Sequence, residues 1–183
     1  MEKGSSLSQP EVIPNRPLTE LIFGIMSSEK QLSSSMIQFY ISLCSTLLNN
    51  HCIVVLPEND PLLTHSTFCE TFFSTDKVLP SLLNGQPISS SSSSQGILHV
   101  MKMRSPYDYT ETVTSLAATG ASCILHYSNI PIVYAGHPFV PVFRISEREG
   151  VNADGFVNEG VDKVMKRIIR VLSREDETIV CVN

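Results

Sequence analysis

The stretch Gly96–Leu125 reads GILHVMKMRSPYDYTETVTSLAATGASCIL. Gly96-Ile-Leu-His-Val-Met101 is a short apolar run and predicts a strand. Ser105-Pro106-Tyr107-Asp108 predicts a turn. Asp108 with Glu111 three residues on has the spacing of a capping box that opens a helix. Val113, Leu116 and Ala117 give that helix its buried side. Gly120 stands just past its end, where a residue able to adopt positive φ is wanted. Ser122-Cys-Ile-Leu125 then predicts the next strand. Strand, helix, strand is the repeating pattern of an α/β fold.

The same alternation extends outward. Leu32, Met36, Phe39, Tyr40, Leu43, Cys44, Leu47 and Leu48 form one stripe at the helical period, and Asn49-Asn50 stops it. Cys52-Ile-Val-Val-Leu56 predicts a strand buried on both faces, ended by Pro57. Leu62–Phe73 predicts a second helix. Phe139–Ile145 predicts a strand, and Pro141 within it argues for an edge or a bulge. Val161, Val164, Met165, Ile168 and Leu172 line one face of a last helix, with Asp162, Lys163, Lys166, Arg167 and Arg170 on the other. Thr178–Val182 predicts a final short strand. The expected architecture is three-layer α/β: a mostly parallel sheet with helices on both faces. Residues 1–30 read as an extended N-terminal segment and 31–183 as the single domain. A flexible connector is expected over 84–95, where Asn84-Gly85 and Pro87 precede six serines, Ser89–Ser94.

Composition narrows the function. The 183 residues are 42% apolar and 17% charged, with a net charge of −5. That balance suits a packed chain rather than a disordered one. No basic stripe runs beyond Lys163–Arg170, which argues against a nucleic-acid partner. No apolar run reaches membrane-spanning length, which argues against a membrane partner. The five cysteines are odd in number and widely spaced, without a CxxC pair. With no apolar run of signal-peptide length at the N-terminus, the expectation is a reduced, cytoplasmic protein.

No phosphate-binding loop, GxGxxG, GxSxG or HExxH motif occurs. Ligand chemistry is therefore expected in the loops after the strands. In Pro57-Glu58-Asn59-Asp60-Pro61, two carboxylates follow a buried strand. They suit a divalent cation or acid–base work, or else Asp60 simply caps the next helix. His126-Tyr127-Ser128-Asn129 follows another strand, and Gly136-His137-Pro138 comes eleven residues after His126. The two histidines converge if the loop folds back, with Glu58 as a third ligand to a metal; otherwise they satisfy local hydrogen bonds. Asn152-Ala-Asp154-Gly155-Phe-Val-Asn158-Glu159-Gly160 precedes the last helix. It offers an anion site at a helix N-terminus, or plain capping by Asn158.

Several of these stretches, in this order, resemble a known family. They are Glu111–Leu125, then Gly136-His-Pro-Phe-Val-Pro-Val-Phe-Arg-Ile-Ser146, then Asp154…Asn158-Glu159-Gly160, with Asn50-His-Cys-Ile-Val-Val-Leu-Pro-Glu58 upstream. Together they look like the C-terminal part of the altronate/galactarate dehydratase family (the UxaA-type sugar-acid dehydratases), over roughly Ile37–Ser173. The resemblance implies a hydro-lyase that removes water from hexonate or hexarate sugar acids to give 2-keto-3-deoxy products, with a divalent metal, typically iron. By this resemblance Glu58 is metal ligand or base, His137 is ligand or acid, and Asp154 positions the substrate. His126, Ser128, Asn129, Gly136 and Asn158 complete the expected substrate-binding set.

The chain also departs from that family. Tyr127-Ser-Asn-Ile-Pro-Ile-Val-Tyr134 replaces a family loop whose glycines and arginine suit an anionic substrate. Family enzymes are also longer, with an N-terminal module and a central region. Two expectations follow: a dehydratase that acts as one part of a split enzyme, with a protein partner supplying the N-terminal half, or a non-catalytic homologue serving as a binding or assembly subunit.

Overall fold

A computed structural model describes residues 18–73, 81–88, 96–105, 108–131 and 137–174. Seven strands form one sheet in the order β3-β4-β2-β1-β5-β6-β7: β1 Ile22–Ser27, β2 Ile53–Pro57, β3 Ser81–Leu82, β4 Ile97–Met101, β5 Cys123–Tyr127, β6 Val142–Ser146 and β7 Gly155–Phe156. Every pairing is parallel. Four helices accompany them: α1 Ser34–Asn49, α2 Ser66–Phe73, α3 Tyr109–Ala118 and α4 Val161–Arg174.

The pleat sorts each strand's side chains between two cores. Phe23 and Ile25 of β1, Val54 and Leu56 of β2, and Cys123, Leu125 and Tyr127 of β5 face one side. There they meet Met36, Tyr40 and Leu43 of α1, Phe68 of α2, and Val164, Ile168 and Leu172 of α4. Ile22 and Met26, Ile53 and Val55, and Ile124 face the other side, against Val113 and Leu116 of α3. Helices thus cover both faces, as the alternation predicts. α3 lies close over Gly24, where a Cβ would sit 3.2 Å from Leu116.

The helix ends follow the sequence in part. Asp108 caps α3 by accepting from the Glu111 N–H at 2.9 Å. Glu111 does not return the bond to Asp108; its Oε1 accepts from the Ser105 N–H and the Asn84 amide instead. Gly120 takes φ +94 as expected. After α1, Asn50 keeps negative φ and His51 takes the left-handed conformation, at φ 62.

Other expectations change. β1 lies inside the stretch read as an extended segment ahead of the domain, yet it is the middle strand of the sheet. β6 pairs with both β5 and β7, so it is not an edge, and Pro141 sits just before it rather than within it. The helix expected over Leu62–Phe73 divides into a 3-10 turn, Pro61–Thr64, and α2. Of the expected connector 84–95, Asn84 and Ile88 are tied to α3 and its end through Ser115 Oγ and the Thr119 carbonyl. The serine tract and Thr178–Val182 lie outside the described residues.

Candidate functional site

The chain passes from β1 to β2, then to the edge strand β3, returns to β4 between them, and crosses through α3 to place β5 on the other flank of β1. In open α/β sheets such a reversal leaves a crevice at the carboxyl ends of the strands. A crevice of about 690 Å³ lies there. Its walls come from the end of β1 and the loop that follows (Met26 to Lys30), from Asn59, Asp60 and Thr64 after β2, and from Asp108, Tyr109 and Thr112 at the start of α3.

Asp60 is the most unusual of these groups. It is only 3% exposed. Its Oδ1 accepts from the Leu62 N–H at 2.9 Å, so it does cap the turn after β2. Its Oδ2 has no hydrogen-bond partner among the described residues, and neither has Asn59 Oδ1. Burial pushes the Asp60 carboxyl up to about 7, with the Leu62 and Ser27 N–H groups pulling the other way.

His126, near the end of β5, reaches the same end of the sheet. Its Nε2 lies 2.6 Å from Ser28 Oγ, and its ring centroid is 5.1 Å from that of Tyr109. Burial, assisted by the Arg144 charge, lowers its pKa to about 4, so the imidazole is neutral near pH 7.

Asn129, two residues past β5, is a junction. Its N–H donates to Glu29 Oε1 at 2.8 Å, and its Oδ1 accepts from Ser146 Oγ and the Glu147 N–H. Its amide also donates to Tyr127 Oη. Glu147 accepts in turn from Tyr127 Oη and from Ser33 and Ser35 at the start of α1. Burial works to raise the Glu147 carboxyl, but those donors outweigh it and hold it below the ordinary carboxylate range. Ser128 is fully buried, its N–H on the Ile145 carbonyl and its Oγ accepting from the Ile130 N–H.

The remaining expected residues are dispersed. Glu58 is exposed; its N–H donates to the Met101 carbonyl and its Oε1 accepts from the Met103 N–H at 2.8 Å. His137 accepts from the Phe139 N–H through Nδ1, in the segment leading into β6. β1 and β5 stand between β2 and β6, strands about 14 Å apart at the usual spacing, and Glu58 follows the carboxyl end of β2 whereas His137 precedes the amino end of β6. Asp154 Oδ2 accepts from the Arg144 N–H at 2.7 Å, extending the β6–β7 ladder. Asn158 lines a separate open groove beside α1 with Ser35 and Glu147. Gly136 lies outside the described residues. Among the described residues no group of three or more His, Cys, Asp or Glu could hold a metal ion, so the donor set expected for the divalent metal is not assembled there.

Neither a family model nor a curated protein sequence matches this chain.

Sequence reasoning placed Asp60 and His126 in strand-end loops but missed the Ser28-Glu29-Lys30 wall. The signal was present: Leu21-Ile-Phe-Gly-Ile-Met26 is an apolar run ended by two serines, the mark of a strand buried on both faces.

Proposed function

We propose that this chain is a sugar-acid dehydratase-like protein that binds a small polyhydroxylated acid in the crevice beside β1, with Asp60 as its proton-transfer group. One observation carries the reading. A carboxyl pushed up to about 7 by burial stands in the wall of a crevice at the reversal of the sheet, with one oxygen that no group among the described residues meets in full hydrogen-bond geometry. A group poised near neutral pH can both take and return a proton. In this reading Asp60 takes the proton α to the ligand carboxylate. The hydroxyl on the next carbon takes that proton back from Asp60 and leaves as water, and the enol rearranges to a 2-keto-3-deoxy acid. The order of motifs over Ile37–Ser173 supports the same hydro-lyase class.

The dispersal of Glu58, His137 and Asp154 favours a second reading, a binding or assembly subunit without turnover. Each of the three side chains is already spent on a neighbouring backbone N–H. A protein partner that supplies further site residues is compatible with both readings. Both also put the protein in the cytoplasm, in keeping, among the described residues, with four free thiols and with the lack of a helix long and apolar enough to cross a membrane.

The test is a thermal-shift panel of hexonates and hexarates with and without added divalent cations, followed by an assay for 2-keto acid formation. Turnover by the wild type that is lost in Asp60→Asn, with binding kept, supports the enzyme. Binding without turnover supports the second reading. A cooperatively melting protein that no sugar acid shifts overturns both.

A further inference from the structure

We infer that Ser28 and His126 form a nucleophile–base pair at the wall of the crevice, competent for acyl transfer from a small uncharged carboxylic ester to the Ser28 hydroxyl and on to water. The pair takes no part in the proton transfer proposed for Asp60, so the two activities stand or fall separately.

Adjacent strands bring the two residues together. His126 pairs with Met26 in the β1–β5 ladder, and Ser28 follows β1 with its N–H on the Tyr127 carbonyl at 3.0 Å. Groups held by paired strands keep their geometry better than groups on loops. The distance from Ser28 Oγ to His126 Nε2, 2.6 Å, is that of a nucleophile and its base. Exposure divides the roles. His126 is 1% exposed and is not among the described residues that line the crevice, whereas Ser28 is half-buried and does line it. The serine is thus the member of the pair that a molecule in the crevice can touch. The imidazole is neutral near pH 7, and with its proton on Nδ1 it accepts the Ser28 O–H at Nε2.

A serine hydroxyl is a weak nucleophile until a base takes its proton. Here Oγ bonds to the ester carbonyl carbon while its proton moves to Nε2. The bond from that carbon to the alcohol oxygen then breaks, and the leaving alcohol takes the proton. Water attacks the acyl-serine and passes a proton to Nε2. The acid departs as Oγ recovers that proton. One ester and one water thus give one acid and one alcohol. The crevice, at about 690 Å³, has the size of a small-molecule site. Of the described residues that line it, Glu29, Asp60 and Asp108 are acidic and Lys30 alone is basic. That balance favours an uncharged ester over a phosphoester.

The experiment labels the full chain with an uncharged alkyl fluorophosphonate, which phosphonylates an activated serine with loss of fluoride, and maps the adduct by peptide mass. One adduct is expected, on Ser28, and none in Ser28→Ala. His126→Gln should slow labelling about a hundredfold or more. Between about pH 5 and 8 the wild-type rate should hardly change, because the imidazole is already neutral; hydroxide-driven labelling of an ordinary serine rises about tenfold per pH unit. The mapping and the pH profile use the wild type, so neither depends on how a variant folds. p-Nitrophenyl acetate should release nitrophenol, and p-nitrophenyl phosphate should not. A folded chain that stays unlabelled, an adduct only on another residue, or a Ser28 adduct whose rate follows hydroxide overturns the pair and leaves a structural hydrogen bond. No release from the acetate, or equal release from the phosphate, overturns the ester assignment. The sugar-acid reading is untouched by any of these results, since it is tested by sugar-acid binding and 2-keto acid formation.

Discussion

Ser28 Oγ and His126 Nε2 stand 2.6 Å apart although 98 residues separate them in sequence. The contact ties the loop after β1 to the end of β5. It also keeps a neutral imidazole at the sheet end where Asp60 titrates near pH 7.

Those two titrations act on stability with opposite sign. The Asp60 pKa rises from 3.8 to about 7 on folding, so between these values the folded state keeps a proton that the unfolded chain has released. Stability from this group is greatest at low pH and is lost as pH rises through about 7. The His126 pKa falls from 6.5 to about 4, so between those values the unfolded chain holds the extra proton, and stability is lost as pH falls. Each slope is about 1.4 kcal/mol per pH unit, and from pH 4 to 6.5 they nearly cancel. Urea denaturation across this range should therefore be almost flat in the wild type. Asp60→Asn should lose stability on acidification, and His126→Gln should gain it. Parallel curves for all three proteins would falsify the assignment.

Tyr40 Oη is buried without a hydrogen-bond partner among the described residues, beside the Asp60 charge that helps burial raise its pKa. Removing a polar atom that has no partner relieves its desolvation cost. Tyr40→Phe should therefore be neutral or stabilising by up to about 1 kcal/mol in denaturant titration. A loss of 2 kcal/mol or so, on the scale of a broken buried hydrogen bond, would show that the hydroxyl is satisfied.

Gly96 enters β4 directly beneath the end of α1. A Cβ there would lie 2.2 Å from the Leu48 carbonyl oxygen, which is backbone and cannot turn aside. Gly96→Ala should cost about 3 kcal/mol or leave the protein insoluble. Gly150 has positive φ but nothing within 4 Å of the same atom, so Gly150→Ala should cost only about 1 kcal/mol. Equal melting temperatures for the two variants would refute the steric argument.

Asn129 serves the β1, β5 and β6 loops at once through its N–H to Glu29 and its side chain to Tyr127, Ser146 and Glu147. Truncation leaves Ser146 Oγ and the Glu147 N–H without that acceptor. Asn129→Ala should destabilise by about 2–3 kcal/mol, with Asn129→Asp recovering part of the loss through its retained oxygen. The check is the midpoint of chemical denaturation; two variants within error of the wild type would mean the junction is not a structural one.

Legibility in the sequence depended on range. The stripe of α4, the Asp108 cap, Gly120 and the apolar runs of β2, β4 and β5 are local patterns, and each marks its element within a residue or two. β3 and β7 are two residues long and exist only through pairing with β4 and β6, which no local pattern reveals. β1 has a local signal, the apolar run Leu21–Met26, but it follows directly on a Pro- and Ser-rich stretch that reads as extended chain. For the candidate site, Asp60 lies in the turn after β2 as its sequence position suggests, whereas His126, expected just past a strand, lies within β5. The spacing of single residues could not say that Ser28, Asp60 and Tyr109 share one crevice while Glu58 turns away to Met103.

The central place of β1 has a consequence for the nascent chain. Its second hydrogen-bonding edge is closed by β5, whose Cys123 pairs with Phe23 across 100 residues. At ordinary translation rates of about 5–20 residues per second, some 5–20 s pass between synthesis of the two partners. Throughout that interval an apolar strand has one edge open. The protein's yield in a cell is thus set in part by elongation speed and by what shields Ile22–Ser27 meanwhile.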